Sequence, residues 1–159
     1  MSAAPDIRIR YATAADVDDV ERLIREMARA LGDRFEMGDG YPAVFLAHPD
    51  TGIVLAELGG RAVGLLAYSI RPNLFHGGPA GVIEEFVVEA DVRRRGIGTA
   101  LLDHILSLFE EKECVEVSLN TDLDNVRAQA VYRRVGLTEE SLQLAMHARP
   151  RTGRPRPLS

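Results

Sequence analysis

The stretch VVEADVRRRGIGTALL, residues 87–102, decides the fold of this chain. It begins as an apolar strand, passes through three arginines and two glycines, and ends in a helix with apolar periodicity. Gly96 and Gly98 let the backbone approach an anion closely, and the first N–H groups of a helix have no internal partner. The three arginines add positive charge at the same place. The stretch therefore predicts a binding site for a pyrophosphate group.

Length and charge predict one domain with a basic tail. The chain has 159 residues, enough to bury a single core, and we expect the domain to span residues 1–147. Residues 148–159 contain four arginines and no acidic residue, and their low apolar content predicts a mobile tail. The formal net charge of −5 makes the body before this tail more acidic than the whole. This balance argues against nucleic acid as a partner.

Cysteine, histidine and hydropathy patterns indicate which class of protein this is with respect to disulfides, metals and membranes. Cys114 is the single cysteine, so no internal disulfide is possible, and its alternating apolar surroundings predict a core residue and not a nucleophile. The four histidines are scattered without metal-ligand spacing, so we expect no metal. No apolar run reaches the roughly 18 residues of a membrane span, and no signal peptide is recognisable. We therefore expect a cytoplasmic protein with no membrane partner.

Hydrophobic periodicity predicts an α/β (α+β) architecture. A strand over 7–11 is followed by a capping box, Thr13 to Asp16, that starts a helix ending near Gly32. Gly59 and Gly60 join two antiparallel strands, 53–57 and 62–70. The remaining predicted elements are a short helix from Pro42 through Leu46, a loop over 71–81, a strand over 82–88, a helix from 97, a strand over 114–119, a helix over 125–135 and a last strand through Leu142, Leu144 and Met146.

The order of these elements argues against two nucleotide-binding folds. A Rossmann domain usually places its glycine-rich turn after the first strand, whereas here two antiparallel strands and a helix precede it. A P-loop requires Gly-Lys-Ser/Thr, but Thr99 and Ala100 follow Gly98. Neither fold fits the turn at residues 93–98.

Two segments resemble the Gcn5-related N-acetyltransferase (GNAT) superfamily. Residues 93–98, RRRGIG, match its phosphate-binding signature Gln/Arg-x-x-Gly-x-Gly/Ala, and residues 125–137, NVRAQAVYRRVGL, resemble its Asn-Ala-Tyr-Gly-Phe segment with Leu137 in place of Phe. The likeness runs from about Ile7 to Met146. It implies a mixed central sheet of six to seven strands with flanking helices, splayed between the fourth and fifth strands.

The resemblance implies acetyl-CoA as the acyl donor. The pantetheine would lie along the strand that ends at Val88, bound to its backbone as an added strand edge would be. Amides of the glycine turn would hold the pyrophosphate. The cofactor-binding residues implied in this way are Phe86, Val87, Val88, Arg93, Arg94, Arg95, Gly96, Ile97, Gly98, Thr99 and Asn125; the last is also a natural helix N-cap.

The same resemblance implies catalytic roles for three residues. Tyr132 occupies the position at which the family often has a general acid for the departing CoA thiolate. Glu84 and Glu85 are candidates for the base that deprotonates the amine, because a carboxylate inside an apolar strand needs a partner or a function. Strand alternation predicts that they point to opposite faces, and Glu84 is favoured because it shares parity with Phe86 and Val88 unless a bulge intervenes.

The matched motifs concern binding of the acyl donor, and they do not identify the acetyl acceptor. The segment 29–49 is acidic through Asp33, Glu36 and Asp39, followed by Asp50, which favours a cationic amine. We expect a small molecule, such as an amino acid, a polyamine, an aminoglycoside-like compound or an amino sugar, before a protein N-terminus or lysine. The alternative is a catalytically idle acetyl-CoA sensor or partner module. Dimers are common in the family, so a homodimer is a further expectation of the resemblance.

Overall fold

A five-stranded mixed sheet organises the first of two units in this chain. The structure, a computed structural model, describes residues 6–32, 37–38 and 40–146, and it divides into the units Met1–Leu119 and Asn120–Ser159. The strands are β1 (Ile7–Tyr11), β2 (Thr51–Leu58), β3 (Arg61–Asn73), β4 (Gly78–Val88) and β5 (Glu116–Leu119). The helices are α1 (Val17–Ala30), α2 (Tyr41–Ala47), α3 (Ile97–Glu111) and, in the second unit, α4 (Val126–Arg134).

The sheet order β1-β2-β3-β4-β5 follows the chain, with four antiparallel strands and a parallel pair at the end. Gly59 and Gly60 have φ angles of 59° and 81°, the left-handed values that a tight hairpin between β2 and β3 requires. Helix α3 carries the chain from the end of β4 to β5, as a parallel connection needs. The predicted hairpin and parallel pair are confirmed.

The two faces of the sheet are covered by different helices. On one face, α1 contributes Val20 and Leu23 to a core cluster with Leu55, Leu65 and Val87. On the other face, α3 lies so close to β3 that a Cβ on Gly64 would be 3.1 Å from side-chain atoms of two helix residues, Ile97 and Leu101. Neighbouring strand residues such as 64 and 65 thus pack against opposite helical layers.

Two sequence predictions about strands are wrong. The loop expected over 71–81 is mostly strand: β3 runs to Asn73 and β4 begins at Gly78, with Pro72 opposite Pro79. The strand expected through Leu142, Leu144 and Met146 does not form, and these side chains are exposed. Alternation alone cannot hold a strand without a hydrogen-bonding neighbour, and the described residues of the second unit supply none. The sheet therefore has five strands in the described residues instead of six or seven.

Some expectations fall outside the described residues. These are the basic tail 148–159 and the acidic positions Asp33, Glu36 and Asp39. Within the described ranges, no helix combines the length and apolarity needed to cross a membrane.

A buried carboxylate joins β1 to the start of α1. Asp16 is 8% exposed and accepts two hydrogen bonds from Arg10, at 2.7 and 2.8 Å, and one from the Thr13 backbone N–H at 2.7 Å. The Thr13 hydroxyl in turn accepts from the Ala15 N–H, which completes the predicted capping box. The hydrogen bonds from Arg10 hold the pKa of Asp16 well below its ordinary value of 3.8.

We expect Asp16→Asn to lower the free energy of unfolding at pH 7 by about 1.5–3 kcal/mol, because the hydrogen bonds lost are charge-assisted. The pKa of Asp16 is lowered by folding, so its stabilisation is complete above the ordinary value of 3.8 and is lost as the pH falls toward the folded pKa. Urea unfolding at several pH values should therefore show the difference from wild type shrinking in acid. Asp18→Asn, an exposed acid in the first turn of α1, is the control; a deficit at Asp16 that persisted unchanged in acid would contradict the account.

Candidate functional site

The turn between β4 and α3 presents unpartnered N–H groups to solvent. Arg94 has φ 67° and Gly96 has φ 80°, two left-handed positions that bend the chain into the helix. The first intrahelical bond runs from the Ala100 N–H to the Gly96 carbonyl at 3.0 Å, so the preceding amides of α3 have no helical partner. The helix has no side-chain cap and no acidic residue in its first turn. Its positive dipole end is therefore available to an anion.

The three arginines of the turn keep positive charge at this helix end. Residues 93–95 are all exposed. The Arg93 Nε donates to the Val88 carbonyl at 3.1 Å, which folds this side chain back along the end of β4. None of the three forms an ion pair with a carboxylate in the described ranges of the chain. This arrangement suits a doubly charged phosphate group.

One acidic residue beside the turn is neutralised inside the protein. Glu89 follows β4 directly and is only 2% exposed. Its carboxylate accepts from Arg61 of β3 at 2.6 Å and from Arg22 of α1. Arg22 also donates to the Ala62 carbonyl at 2.7 Å. Two guanidinium groups thus hold the negative charge of Glu89 within the body, where it does not repel an anion at the turn.

The second half of β4 extends past its parallel neighbour. The ladder with β5 pairs Ala80 through Ile83 with Glu116 through Leu119 and goes no further. On its other side, β4 stays paired with β3 as far as Val88. The predicted pantetheine segment, Phe86, Val87 and Val88, lies in this half. A Cβ on Gly98 would be 3.4 Å from the Phe86 ring, so the strand and the glycine turn are packed together.

A β-bulge changes the direction of the two glutamates. Tyr68 pairs with Ile83 and Ala67 pairs with Glu85, so Glu84 is an extra residue without a partner position on β3. The Glu84 carboxylate accepts from the Ser69 hydroxyl. Ala67 belongs to the core cluster under α1, and Ser69 is two residues further along the same face. Glu84 and Glu85 therefore share the face that carries α1 and α2; the expected opposite faces are wrong because the bulge resets the alternation.

The bulge also removes the reason for favouring Glu84. Phe86 and Val88 point toward Gly98 of α3, on the other face of the sheet, so Glu84 no longer shares their parity. Both glutamates are exposed. Although Glu85 is exposed, neighbouring protein atoms partly desolvate its carboxyl group and raise its pKa, and the adjacent charge of Glu84 raises that pKa further.

The described residues hold no group of three or more His, Cys, Asp or Glu side chains arranged for a metal ion.

The second unit carries the two remaining predicted residues. Asn125 caps α4, its side-chain oxygen accepting from the Ala128 N–H at 3.3 Å, which confirms the N-cap interpretation. Tyr132 lies in the last turns of α4 and is half-buried. Burial raises the pKa of its phenol above 10.0, which keeps it protonated at neutral pH.

Sequence reasoning missed four residues that shape the site. Three of them are Glu89 and its partners Arg22 and Arg61, and the fourth is Ser69. A glutamate at the end of an apolar strand is a signal for Glu89, since such a residue needs a partner. Nothing in the sequence indicates that its partners are Arg22 and Arg61, 67 and 28 residues away.

Comparison with known proteins gives matches to acetyltransferases along most of the chain. Residues 17–137 match the sequence model of a family described as the acetyltransferase (GNAT) family. An aminoalkylphosphonate N-acetyltransferase from Salmonella typhimurium is 30% identical over 132 residues, covering 83% of this chain and 85% of that protein. An aminoglycoside N(6′)-acetyltransferase type 1 from Stenotrophomonas maltophilia is 27% identical over 141 residues, covering 86% and 80%. The solved structure of an aminoglycoside N-acetyltransferase in complex with CoA has the same fold, with a TM-score of 0.75 at 20% identity over 95% of this chain and 99% of that one.

We expect Gly96→Ala to weaken CoA binding at least tenfold, because a Cβ at φ 80° strains the turn and displaces its amides. The matched control is Gly60→Ala, which places the same strain, at φ 81°, in the β2–β3 hairpin. Thermal unfolding should show a similar loss of stability in both variants. Isothermal titration with CoA should show weaker binding in Gly96→Ala alone; equal affinities would contradict a role of this turn in anion binding.

Proposed function

Because the chain belongs to the acetyltransferase (GNAT) family, we propose that it transfers an acetyl group from acetyl-CoA to a primary amine of a small molecule. The family membership makes it an acetyltransferase. The observation that carries the finer proposal is the combination, in one unit, of an uncapped cationic helix end with a strand half that bears two carboxylates on one face. Such a pairing serves an anionic donor and a cationic acceptor on either side of the same strand.

The donor is held by the turn and the strand that precedes it. Amides from Arg94 to Thr99 bind the pyrophosphate, and Arg93 and its neighbours supply charge. The backbone of Phe86, Val87 and Val88 hydrogen-bonds the pantetheine amides. Asn125 of α4 contributes to the donor site while it caps its helix. The CoA bound in the related aminoglycoside enzyme supports this choice of donor.

The reaction is a direct transfer within a ternary complex. A carboxylate at the β4 bulge takes a proton from the acceptor ammonium, and the freed amine nitrogen forms a bond to the thioester carbon. A backbone amide near Val87 or Val88 stabilises the oxyanion. The carbon–sulfur bond then breaks, and the Tyr132 phenol gives its proton to the leaving thiolate. The second proton that the nitrogen loses as it becomes an amide returns to the Tyr132 phenolate. The Tyr132 phenol is protonated at neutral pH, as a proton donor must be, and burial raises its pKa further above that range.

The acceptor is a small amine. The two related enzymes are named for an aminoalkylphosphonate and an aminoglycoside. The carboxylates of Glu84 and Glu85, adjacent at the bulge, favour an acceptor whose reactive end is cationic. An amino sugar, a polyamine and an amino acid belong to the same chemical class.

We expect CoA to stabilise the purified protein against heat, by about 2.7 kcal/mol at a concentration 100 times its Kd. Acetyl-CoA with an aminoalkylphosphonate, an aminoglycoside, glucosamine 6-phosphate, spermidine and a peptide α-amine should release thiol with at least one small amine. The free CoA thiol is measured with a thiol reagent. Stabilisation without turnover on any amine would identify an idle sensor instead, and stabilisation by ATP or NAD but not by CoA would contradict the proposal.

We expect Tyr132→Phe to lower kcat about tenfold while the Kd for CoA stays within twofold. The effect is moderate because a thiol with a pKa of about 8.5 leaves readily without help. Tyr11→Phe, on the edge strand β1, is the matched control and should keep wild-type kcat. Steady-state kinetics and titration with CoA measure both quantities. A Tyr132→Phe enzyme with unchanged kcat would remove the acid role.

A further inference from the structure

The hairpin between β3 and β4 projects beyond its neighbouring strands. Residues 70–81 form this β3–β4 arm, and residues 74–77 form its tip. The ladder with β2 reaches only as far as Ser69, and the ladder with β5 begins only at Ala80. The two strands of the arm stay paired with each other almost to the tip. The tip is therefore carried outward on a regular, hydrogen-bonded ladder.

Two large apolar side chains are exposed at this tip. Leu74 is 99% exposed and Phe75 is 92% exposed. The turn that carries them is nevertheless ordered by Asn73, whose side-chain oxygen accepts from the His76 N–H at 3.0 Å and whose carbonyl accepts from the Gly77 N–H at 2.9 Å. Adjacent apolar side chains displayed on an ordered turn indicate an interaction surface.

The imidazole ring of His76 connects the tip to β5. Its Nε2 lies 2.8 Å from a carboxylate oxygen of Glu116. The Phe75 ring packs edge-on against the same imidazole, with ring centroids 5.0 Å apart. The direction of the phenyl group is therefore set before any partner binds. An apolar group that is already oriented loses little conformational entropy on binding.

The edges of the β3–β4 arm do not suit the addition of another strand. The Ile70 N–H donates to the Asp50 carbonyl at 2.8 Å, on the β2 side of the arm. Alternation turns the nitrogen of Pro72 toward the same side, and Pro79 lies opposite it on β4. A proline has no N–H to donate, and its presence at a strand edge prevents further pairing. The side chains of the tip are therefore the contact that this arm can offer.

A cavity of about 290 Å³ lies at the base of the same arm, between β3 and the end of α3. Tyr68, Ile70 and Leu108 line it, and all three are half-buried, so apolar and aromatic surface remains accessible inside it. Asp50 and Lys112 also line it and carry one charge of each sign, which leaves the lining without net charge. An uncharged ring of the size of a phenyl group suits such a cavity.

The tip of one arm cannot fill the cavity of its own chain. The ladder that pairs Asn73 with Gly78 keeps the arm extended. The distance along the arm from Ile70 to Phe75 is about 16 Å, at about 3.3 Å per residue. Two arms that lie side by side and antiparallel would place each tip at the base of the other. Such a contact is reciprocal and self-complementary, as a two-fold dimer requires.

We propose that the partner of the tip is a second copy of this chain, and that Leu74 and Phe75 of each copy insert into the cavity at the base of the other copy's arm. The single two-fold contact covers two exposed apolar side chains and one cavity in each copy. Because these surfaces are small, the dimer has a Kd in the micromolar range. The arm precedes β4, whereas the glycine turn follows its other end, so the dimer leaves the turn accessible.

Sedimentation equilibrium over a range of concentrations tests the dimer. We expect wild type to approach twice the mass of one chain at high concentration. The double variant Leu74→Ser/Phe75→Ser should associate at least tenfold more weakly, because the tip supplies the buried apolar anchors. The matched control is Leu123→Ser, which removes a side chain that is 96% exposed in the second unit and should keep the wild-type association. Equal association of the double variant and wild type would overturn the proposal.

Fluorescence reports on the tip itself. The chain contains no tryptophan, so Phe75→Trp introduces a single indole at the tip. We expect its emission to move to shorter wavelength as the concentration rises, because the indole leaves water for the cavity. Leu123→Trp should keep the same emission at every concentration. An unchanged emission of Phe75→Trp over the range in which the mass doubles would show that the dimer uses another surface.

Cross-linking tests whether the cavity receives the tip. In a Cys114→Ser background, Leu74→Cys and Lys112→Cys are purified separately, mixed and mildly oxidised. We expect disulfide-linked dimers at least tenfold more abundant in this mixture than in a mixture of Leu74→Cys with Asp18→Cys, an exposed position on α1. Cross-linking of Leu74→Cys with itself at the same level would indicate a contact between tips and would overturn the assignment of the cavity.

A monomeric wild type at every concentration overturns the proposal outright. If that monomer binds phosphatidylcholine vesicles and Leu74→Ser/Phe75→Ser does not, the partner of the tip is a membrane surface and not a second copy. Circular dichroism of each variant verifies that the sheet is intact. A measured acetyltransferase activity does not enter these outcomes, so the dimer and the proposed function stand or fall separately.

Discussion

The ion pairs of Glu89 with Arg22 and Arg61 are the interaction on which the rest of the site depends. They bring together the end of β4, the first helix and the β2–β3 hairpin at one buried carboxylate that is 2% exposed. A charge in this position requires partners, because a lone buried carboxylate is costly. With this carboxylate held inward, Arg93, Arg94 and Arg95 are exposed just before α3, and the exposed Asp91 precedes them in the same connection. Glu89 therefore adds no surface charge that would oppose the three arginines.

The two faces and the edge of β4 have different neighbours, which is why the proposal gives this strand two roles. Toward α3, the side chains of Phe86 and Val88 pack against Gly98, which brings the helix end to the strand. Toward α1 and α2, the bulge displays Glu84 and Glu85. The parallel ladder with β5 stops before this half of the strand. A donor bound along the strand and an acceptor bound over its face would therefore meet at the bulge.

Local signals in the sequence were predictive wherever a few neighbouring residues carry the physics. The capping box from Thr13 to Asp16 forms as expected, and Gly59 and Gly60 adopt the left-handed conformations of a hairpin. The glycine turn opens α3 at Ile97. Predictions failed where pairing partners decide the outcome. The alternating residues after Gly136 form no strand in the described structure, and the expected loop after Ile70 is strand, since two prolines are accommodated opposite each other near the end of a hairpin.

By itself, the sequence was enough to predict the family, because the turn glycines, the consecutive arginines and the Asn-to-Tyr segment are contiguous features that need no folded context. The donor and the candidate residues followed as what that resemblance implies. Only the tertiary structure decided how Glu84 and Glu85 are oriented and what surrounds them. A β-bulge is a mismatch between two strands, here opposite Ala67 and Tyr68, and neither strand encodes it alone. The hydroxyl that donates to Glu84 likewise comes from a residue on another strand, Ser69 of β3, so the surroundings of the two glutamates depend on the assembled sheet.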